Sequence, residues 1–288
     1  MTVRVLTDST ACLPVEVAAR AGVSVLPLHV VVGRRTLAEG VDVTSDEVAE
    51  LLRAGNEPVS TSSPAPGELV ERYRELAAEP GCTGIVSVHL SGRVSGTVET
   101  ARLAARAVRD EVTVEVVDSR VLGMAMGFAA CTAAEVADRG GSLDEVAHAA
   151  RDRAAASHTF FVVDTLEYLR RGGRVGAARS LLASALAIKP LLTLADGQVE
   201  PLERVRTRSR AVARLEEHCS RVVAEASGQG RSVELAVHHL AAADRAERLR
   251  GQLAAAHPEA ATMVVQLGAV TAVHTGPGTL AVTVSPRG

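Results

Sequence analysis

The stretch LSGRVSGTVETA, residues 90–101, sets Ser95 in a glycine-bearing turn between an apolar run and a segment of helical period. A serine nucleophile of the elbow type needs G-x-S-x-G. Here Gly92 stands one position too far ahead of Ser95, so the pattern fails. A serine at a helix start caps it by accepting an orphan backbone N–H. The same geometry, a hydroxyl beside free amides at the positive end of a helix dipole, also holds an anion, and the two roles are compatible. A second set of hydroxyls, Ser60, Thr61, Ser62 and Ser63, runs in a row ahead of Pro64 and Pro66. Ser63 is placed to cap the helix that follows, with the others either in solvated loop or converging with Ser95. Hydroxyls without a strong base suit hydrogen bonding to a carboxylate or phosphate, not covalent chemistry. His274 is followed by TGPGTL, where two glycines around Pro277 force a tight turn and bring backbone amides and an imidazole to a strand edge.

Charged groups add a weaker signal. DTLEYLRRGGRVG (164–176) gathers Arg170, Arg171 and Arg174 around a Gly-Gly break. Guanidinium forks suit carboxylate and phosphate, but this run lacks the Lys-Ser/Thr of a P-loop and the preceding strand of a dinucleotide fingerprint. ERVRTRSR (203–210) reads as a solvated basic face or a docking surface for a partner carrying phosphate. His238 and His239 are neighbours in a strand candidate and so point to opposite faces, which excludes them as one metal face. Asp8, Asp118 and Asp164 each follow a strand candidate, Asp8 and Asp118 as turn formers that order loops, and no carboxylate pair can be assigned.

These groups must be positioned by the elements around them. VRVLTDS (3–9), VSVLPLHVVV (23–32), GIVSVHL (84–90) and VTVEVVDS (112–119) are strand candidates. Between them, DEVAELLRAG (46–55), ELVERYRELAAE (68–79) and VETARLAARAVRD (98–110) have apolar residues at helical spacing. Thr44 with Glu47 fits a capping box. This alternation predicts an α/β fold: an N-terminal three-layer α/β domain over residues 1–157 with a mainly parallel sheet, then a C-terminal α/β domain over 158–288 with a mixed sheet. In a parallel sheet the Ser/Thr-bearing loops gather at the carboxyl ends of the strands, where ligands of open α/β folds bind.

Composition narrows the ligand. Three Phe, two Tyr and no Trp leave little to stack on bases, and 31 basic against 34 acidic residues give a net charge of −3, so nucleic acid is an unsuitable partner. The four cysteines lack zinc or disulfide spacing and read as buried small residues. The longest nearly apolar run, LLASALAIKPLLTL (181–194), is too short to span a bilayer and carries Lys189 and Pro190. A cytoplasmic protein with no stable membrane insertion, no metal site and no catalytic residues is the expectation. A serine hydrolase using Ser95, or an enzyme of a small phosphorylated ligand using the Arg/Gly loops, are the rival readings.

Seven stretches, TDSTACLP (7–14), TSSPAPGEL (61–69), LSGRVSGTVETA (90–101), VDS (117–119), DTLEYLRRGGRVG (164–176), IKPLL (188–192) and GAVTAVHTGPGTLA (268–281), together resemble the DegV family of bacterial fatty-acid-binding proteins. The resemblance implies two α/β domains with a ligand tunnel between them and a long-chain fatty acid as ligand, without other cofactor. It places the acid's carboxylate with Thr61, Ser62, Ser95 and His274. It further implies a separate ATP-dependent fatty acid kinase subunit as partner, contacted through Arg174, Arg204 and Arg206. This chain departs from the family pattern at Ser63 and Ala65 (commonly Gln and Ser), at Cys12 (Asp) and at Val273 (Thr). The run LLASALAI (181–188) is a candidate tunnel wall.

Overall fold

The computed structural model describes residues 2–181 and 189–288. Most of the candidate tunnel wall, 182–188, therefore lies outside the described residues. In chain order the strands are β1 (Thr2–Asp8), β2 (Val23–Leu26), β3 (His29–Val32), β4 (Arg35–Ala38), β5 (Val59–Ser62), β6 (Cys82–His89), β7 (Val114–Asp118), β8 (His158–Val162), β9 (Lys189–Ala195), β10 (Gln198–Val205), β11 (Val233–His239), β12 (Ala261–Gln266) and β13 (Leu280–Pro286). The helices are α1 (Val15–Arg20), α2 (Ser45–Ala54), α3 (Pro66–Ala78), α4 (Thr97–Ala107), α5 (Met124–Asp138), α6 (Leu143–Ala156), α7 (Glu167–Arg171), α8 (Arg208–Gly228), α9 (Ala243–Ala256) and α10 (Ala269–Thr275).

Two compact units result: Met1–His29 with Ser62–Ala155, and Val30–Thr61 with Ala156–Gly288. The sequence placed a single crossing at 157/158. The chain instead leaves the first unit after His29, returns at Ser62 and leaves again after Ala155. Pro27 supplies the physical reason: it lacks a ladder N–H and fixes φ, so the run 23–32 cannot continue as one strand. Its first half pairs with β1, while its second half joins the separate sheet β4-β3-β5.

The first unit holds the wholly parallel sheet β2-β1-β6-β7. Leu69, Tyr73 and Leu76 of α3 and Ala101 and Ala104 of α4 fall on one stripe of each helix and bury against Leu6 and Ile85 of the sheet. Each large side chain so buried contributes about 1.5–3 kcal/mol. Helix α5 is buried on most of its surface and packs on β1, giving the third layer. Strand order reverses direction between β1 and β6, which makes the carboxyl ends of those two strands a topological switch point.

The second unit carries the mixed sheet β10-β9-β8-β13-β11-β12, in which β11 and β12 are parallel and the other pairs antiparallel. Successive residues serve opposite faces. Phe160, Leu191 and Val282 pack with Leu215, Cys219 and Leu249 of α8 and α9, whereas Phe161, Leu192 and Ala281 pack with Leu166, Leu169 and Val175. Both bonds of the capping box at α2 are present: Thr44 N–H to Glu47 Oε2 at 2.8 Å, and Glu47 N–H to Thr44 Oγ1 at 3.3 Å. Of the four free cysteines Cys219 is buried, while Cys12, Cys82 and Cys131 are half-buried, a more open setting than expected.

Candidate functional site

In the first unit, Ser95 lies in the turn that leads from β6 into α4. Its Oγ accepts the Thr97 N–H at 3.3 Å and bonds Thr97 Oγ1 at 2.9 Å, so it does cap an orphan amide at the helix start, although Gly96 is the backbone N-cap. Among the described residues no acid or imidazole bonds the Ser95 hydroxyl. Ser63 does not cap α3. Pro66 is the first helical residue, so the N-cap is Ala65, and its N–H is satisfied by Glu68 Oε1 at 3.1 Å. Ser63 instead borders the Ser95 turn: a Cβ on Gly96 would lie 3.5 Å from Ser63 Oγ.

In the second unit, Thr61 and His274 meet although 213 residues separate them, with Thr61 Oγ1 2.8 Å from His274 Nε2. The histidine sits in the last turn of α10, a helix that ends at Gly276 with φ of 76°. A Cβ on Gly276 would come within 2.1 Å of the Tyr168 ring, so a side chain is excluded there on two counts. Burial, and secondly the nearby Arg174 charge, push the imidazole down to about 4, so it is neutral at neutral pH. Its Nδ1 is buried and has no hydrogen-bond partner among the described residues. Gly172 covers that atom, since a Cβ there would be 2.1 Å away. A buried lone pair left unpaired is less costly than a buried orphan N–H. The proton therefore belongs on Nε2, where it is donated to Thr61 Oγ1, and the Thr61 hydroxyl proton is left to donate elsewhere. Both residues, with Arg174, Tyr168 and Leu51, line a cavity of about 530 Å³.

Ser62 follows Thr61 on β5, points to the other face of the strand and is exposed. The three arginines near the Gly-Gly break separate in role. Arg170 and Arg171 both bind Glu167, whose carboxyl they hold down at about 2, while Arg174 turns back toward the Gly172 carbonyl. Arg204 and Arg206 are exposed. No group of three or more His, Cys, Asp or Glu side chains is set to hold a metal among the described residues. No described helix is long and apolar enough to cross a membrane. Sequence reading passed over Gly172 and Tyr168. The Gly-Gly break was the available signal, but it marked a turn and did not show that the first glycine packs on an imidazole.

The sequence profile of the DegV family, described as a family of uncharacterised proteins, matches residues 2–287. The chain belongs to the DegV family. A DegV domain-containing protein of Streptomyces coelicolor is 50% identical over 286 residues, covering 99% of both chains. Two solved DegV structures cover the chain completely and are covered completely by it, each at 32% identity. One is DegV, a fatty acid binding protein from Bacillus subtilis, with a TM-score of 0.90. The other is a DegV family protein from Thermus thermophilus, described for its fatty acid binding, with a TM-score of 0.89. The DegV fold thus accounts for the parallel and the mixed sheet, and fatty acid binding is the property those two relatives carry.

Proposed function

We propose that this DegV chain binds a long-chain fatty acid, with the tail buried and the carboxylate held by Thr61, Ser62, Ser95 and His274. The observation that carries the reading is the Thr61–His274 pair. A neutral imidazole that donates to Thr61 Oγ1 turns that hydroxyl into a donor for an anion, and hydrogen bonds to a charged group are the stronger kind. Ser95 supplies a second hydroxyl at a helix start, where the dipole favours negative charge. Ser62, on the outer face of β5, is the least constrained of the four. The tail supplies most of the affinity at about 0.8 kcal/mol per buried CH₂, and the hydroxyls fix the orientation. In this reading the chain is not itself an enzyme. It presents the carboxylate to a separate ATP-dependent fatty acid kinase, with Arg174, Arg204 and Arg206 as the contact residues.

Native mass spectrometry of protein purified without organic solvent tests the binding. A mass increment matching a long-chain fatty acid is expected. Protein that carries none and takes up none from added palmitate overturns the reading. For the partner, Arg174→Ala is expected to keep the bound acid and lose acyl-phosphate formation by the kinase; unchanged phosphorylation removes Arg174 from that role.

A further inference from the structure

A second hydrogen-bonded chain lies wholly inside the first unit. Tyr73 Oη donates to Ser87 Oγ at 3.0 Å, Ser87 Oγ is 2.8 Å from His89 Nε2, and His89 Nδ1 is 3.0 Å from Asp8 Oδ2. All four residues are fully buried. Asp, His and Ser follow in the order of a hydrolytic triad, yet Ser87 is fully buried and its oxygen already accepts from the phenol. Burial pushes the Tyr73 phenol up to about 12, so it keeps its proton. With Tyr73 donating to Ser87, the serine proton goes to Nε2, and the ring proton is then on Nδ1, donated to Asp8. Every bond of the chain thereby runs in one direction, from Tyr73 to Asp8.

Asp8 has a wider grip than one histidine. It ends β1, and His89 ends β6, the two strands that flank the switch point. Its Oδ2 also accepts the Leu90 N–H at 3.1 Å, the first residue of the loop that bears Ser95, and its Oδ1 accepts the Thr10 N–H at 3.1 Å together with the Thr10 hydroxyl. Two further bonds come from the end of β7 and the residue after it: Gly92 N–H of the same loop to Asp118 Oδ1 at 3.1 Å, and Ser119 Oγ to the carbonyl of His89 at the end of β6 at 2.7 Å. One buried carboxylate therefore joins the loops after β1 and β6. We propose that Asp8, oriented by His89, is a positioning residue that sets the Ser95 turn for its anion. This rests on the fatty acid reading above for the ligand, and on the bonds alone for the positioning.

Asp8→Asn is the test, because it keeps shape and changes hydrogen-bond direction. An amide NH₂ on the Oδ2 side opposes the Leu90 N–H and donates to His89 Nδ1, which drives the ring proton to Nε2 and reverses the chain. Three readouts follow on the full-length protein. Ring nitrogen NMR should show the Nδ1–H form of His89 in the wild type and the Nε2–H form in Asp8→Asn. Amide exchange at residues 90–97 should quicken in the variant. Palmitate affinity should fall about tenfold or more, the scale of a disturbed hydrogen bond to a charged group. Tyr73→Phe is the control: it removes the donor at the end of the bonded chain opposite Asp8 and leaves the Ser87 hydroxyl donating to Nε2, so affinity should be unchanged. A folded Asp8→Asn protein with wild-type exchange at 90–97, or with wild-type affinity, overturns the proposal. So does an Nε2–H ring in the wild type, which is measurable even where the variant does not fold. If wild-type protein binds no fatty acid, the ligand reading falls, and the tautomer and exchange data alone decide the positioning.

Discussion

At the scale of single residues, the site depends on where one proton sits and on how closely one backbone approaches. His274 is held neutral mainly by burial and secondarily by Arg174. An NMR titration of its ring should therefore give a midpoint near 4, and Arg174→Ala should raise that midpoint while leaving it below the ordinary 6.5, since the larger cause remains. A midpoint at or above 6.5 in the wild type would contradict the buried, unprotonated ring. Gly172 is the other constraint. Its φ of −73° is open to any residue, so the requirement for glycine is steric, from the imidazole pressed against it. Gly172→Ala should displace His274 from Thr61 at a cost of about 1–3 kcal/mol, the usual penalty of overpacking. It should be read as weaker palmitate binding by protein with an unchanged far-UV spectrum; full affinity would show that the ring can move without loss.

At the scale of elements, α10 carries His274 and must itself be anchored. Glu39, the residue directly after β4, is buried and accepts the Val270 N–H at 2.9 Å at the start of that helix. The N-cap, Gly268, leaves the space, for a Cβ there would be 2.2 Å from Glu39 Oε1. Glu39→Ala strips this carboxylate from the helix start and should cost about 1–3 kcal/mol, the penalty of a buried donor left unpaired. Glu39→Gln, which keeps an acceptor, should cost less. Denaturant midpoints of the two variants check the order, and equal losses would show that the contact is not what matters. The same helix marks the limit of sequence reading. The strands around it were legible from β-branched alternation, and α2 from its capping box. Val270, Thr271 and Val273 give 269–275 little intrinsic helix propensity, because β-branched residues lower it, and the sequence reading placed no element there. Neither Thr61 with His274 nor Asp8 with His89 is joined by any local period. The first pair came from family resemblance, and the second was visible only once β1 and β6 were side by side.

At the scale of the whole molecule, two units built from interleaved segments need not answer acid alike. In the second unit His238 and His274 are each pushed down to about 4, chiefly by burial, and His158 and His239 are lowered by the same cause. A histidine whose folded pKa is depressed binds its proton more readily in the unfolded chain. Its contribution to stability is therefore present above about 6.5 and is lost as pH falls toward the folded value. The carboxyls of Glu167 and Glu203, held near 2 by their arginines, withdraw their own contribution only below the ordinary 4.5. Between pH 7 and 5 the histidines thus act first. Hydrogen exchange followed by mass spectrometry should show peptides of β8, β11, β13 and α10 losing protection over that interval. Palmitate should restore part of the protection, since a ligand that binds the folded form stabilises it by mass action. Protection that is flat from pH 7 to 5 would mean that the buried imidazoles are not what acid attacks first.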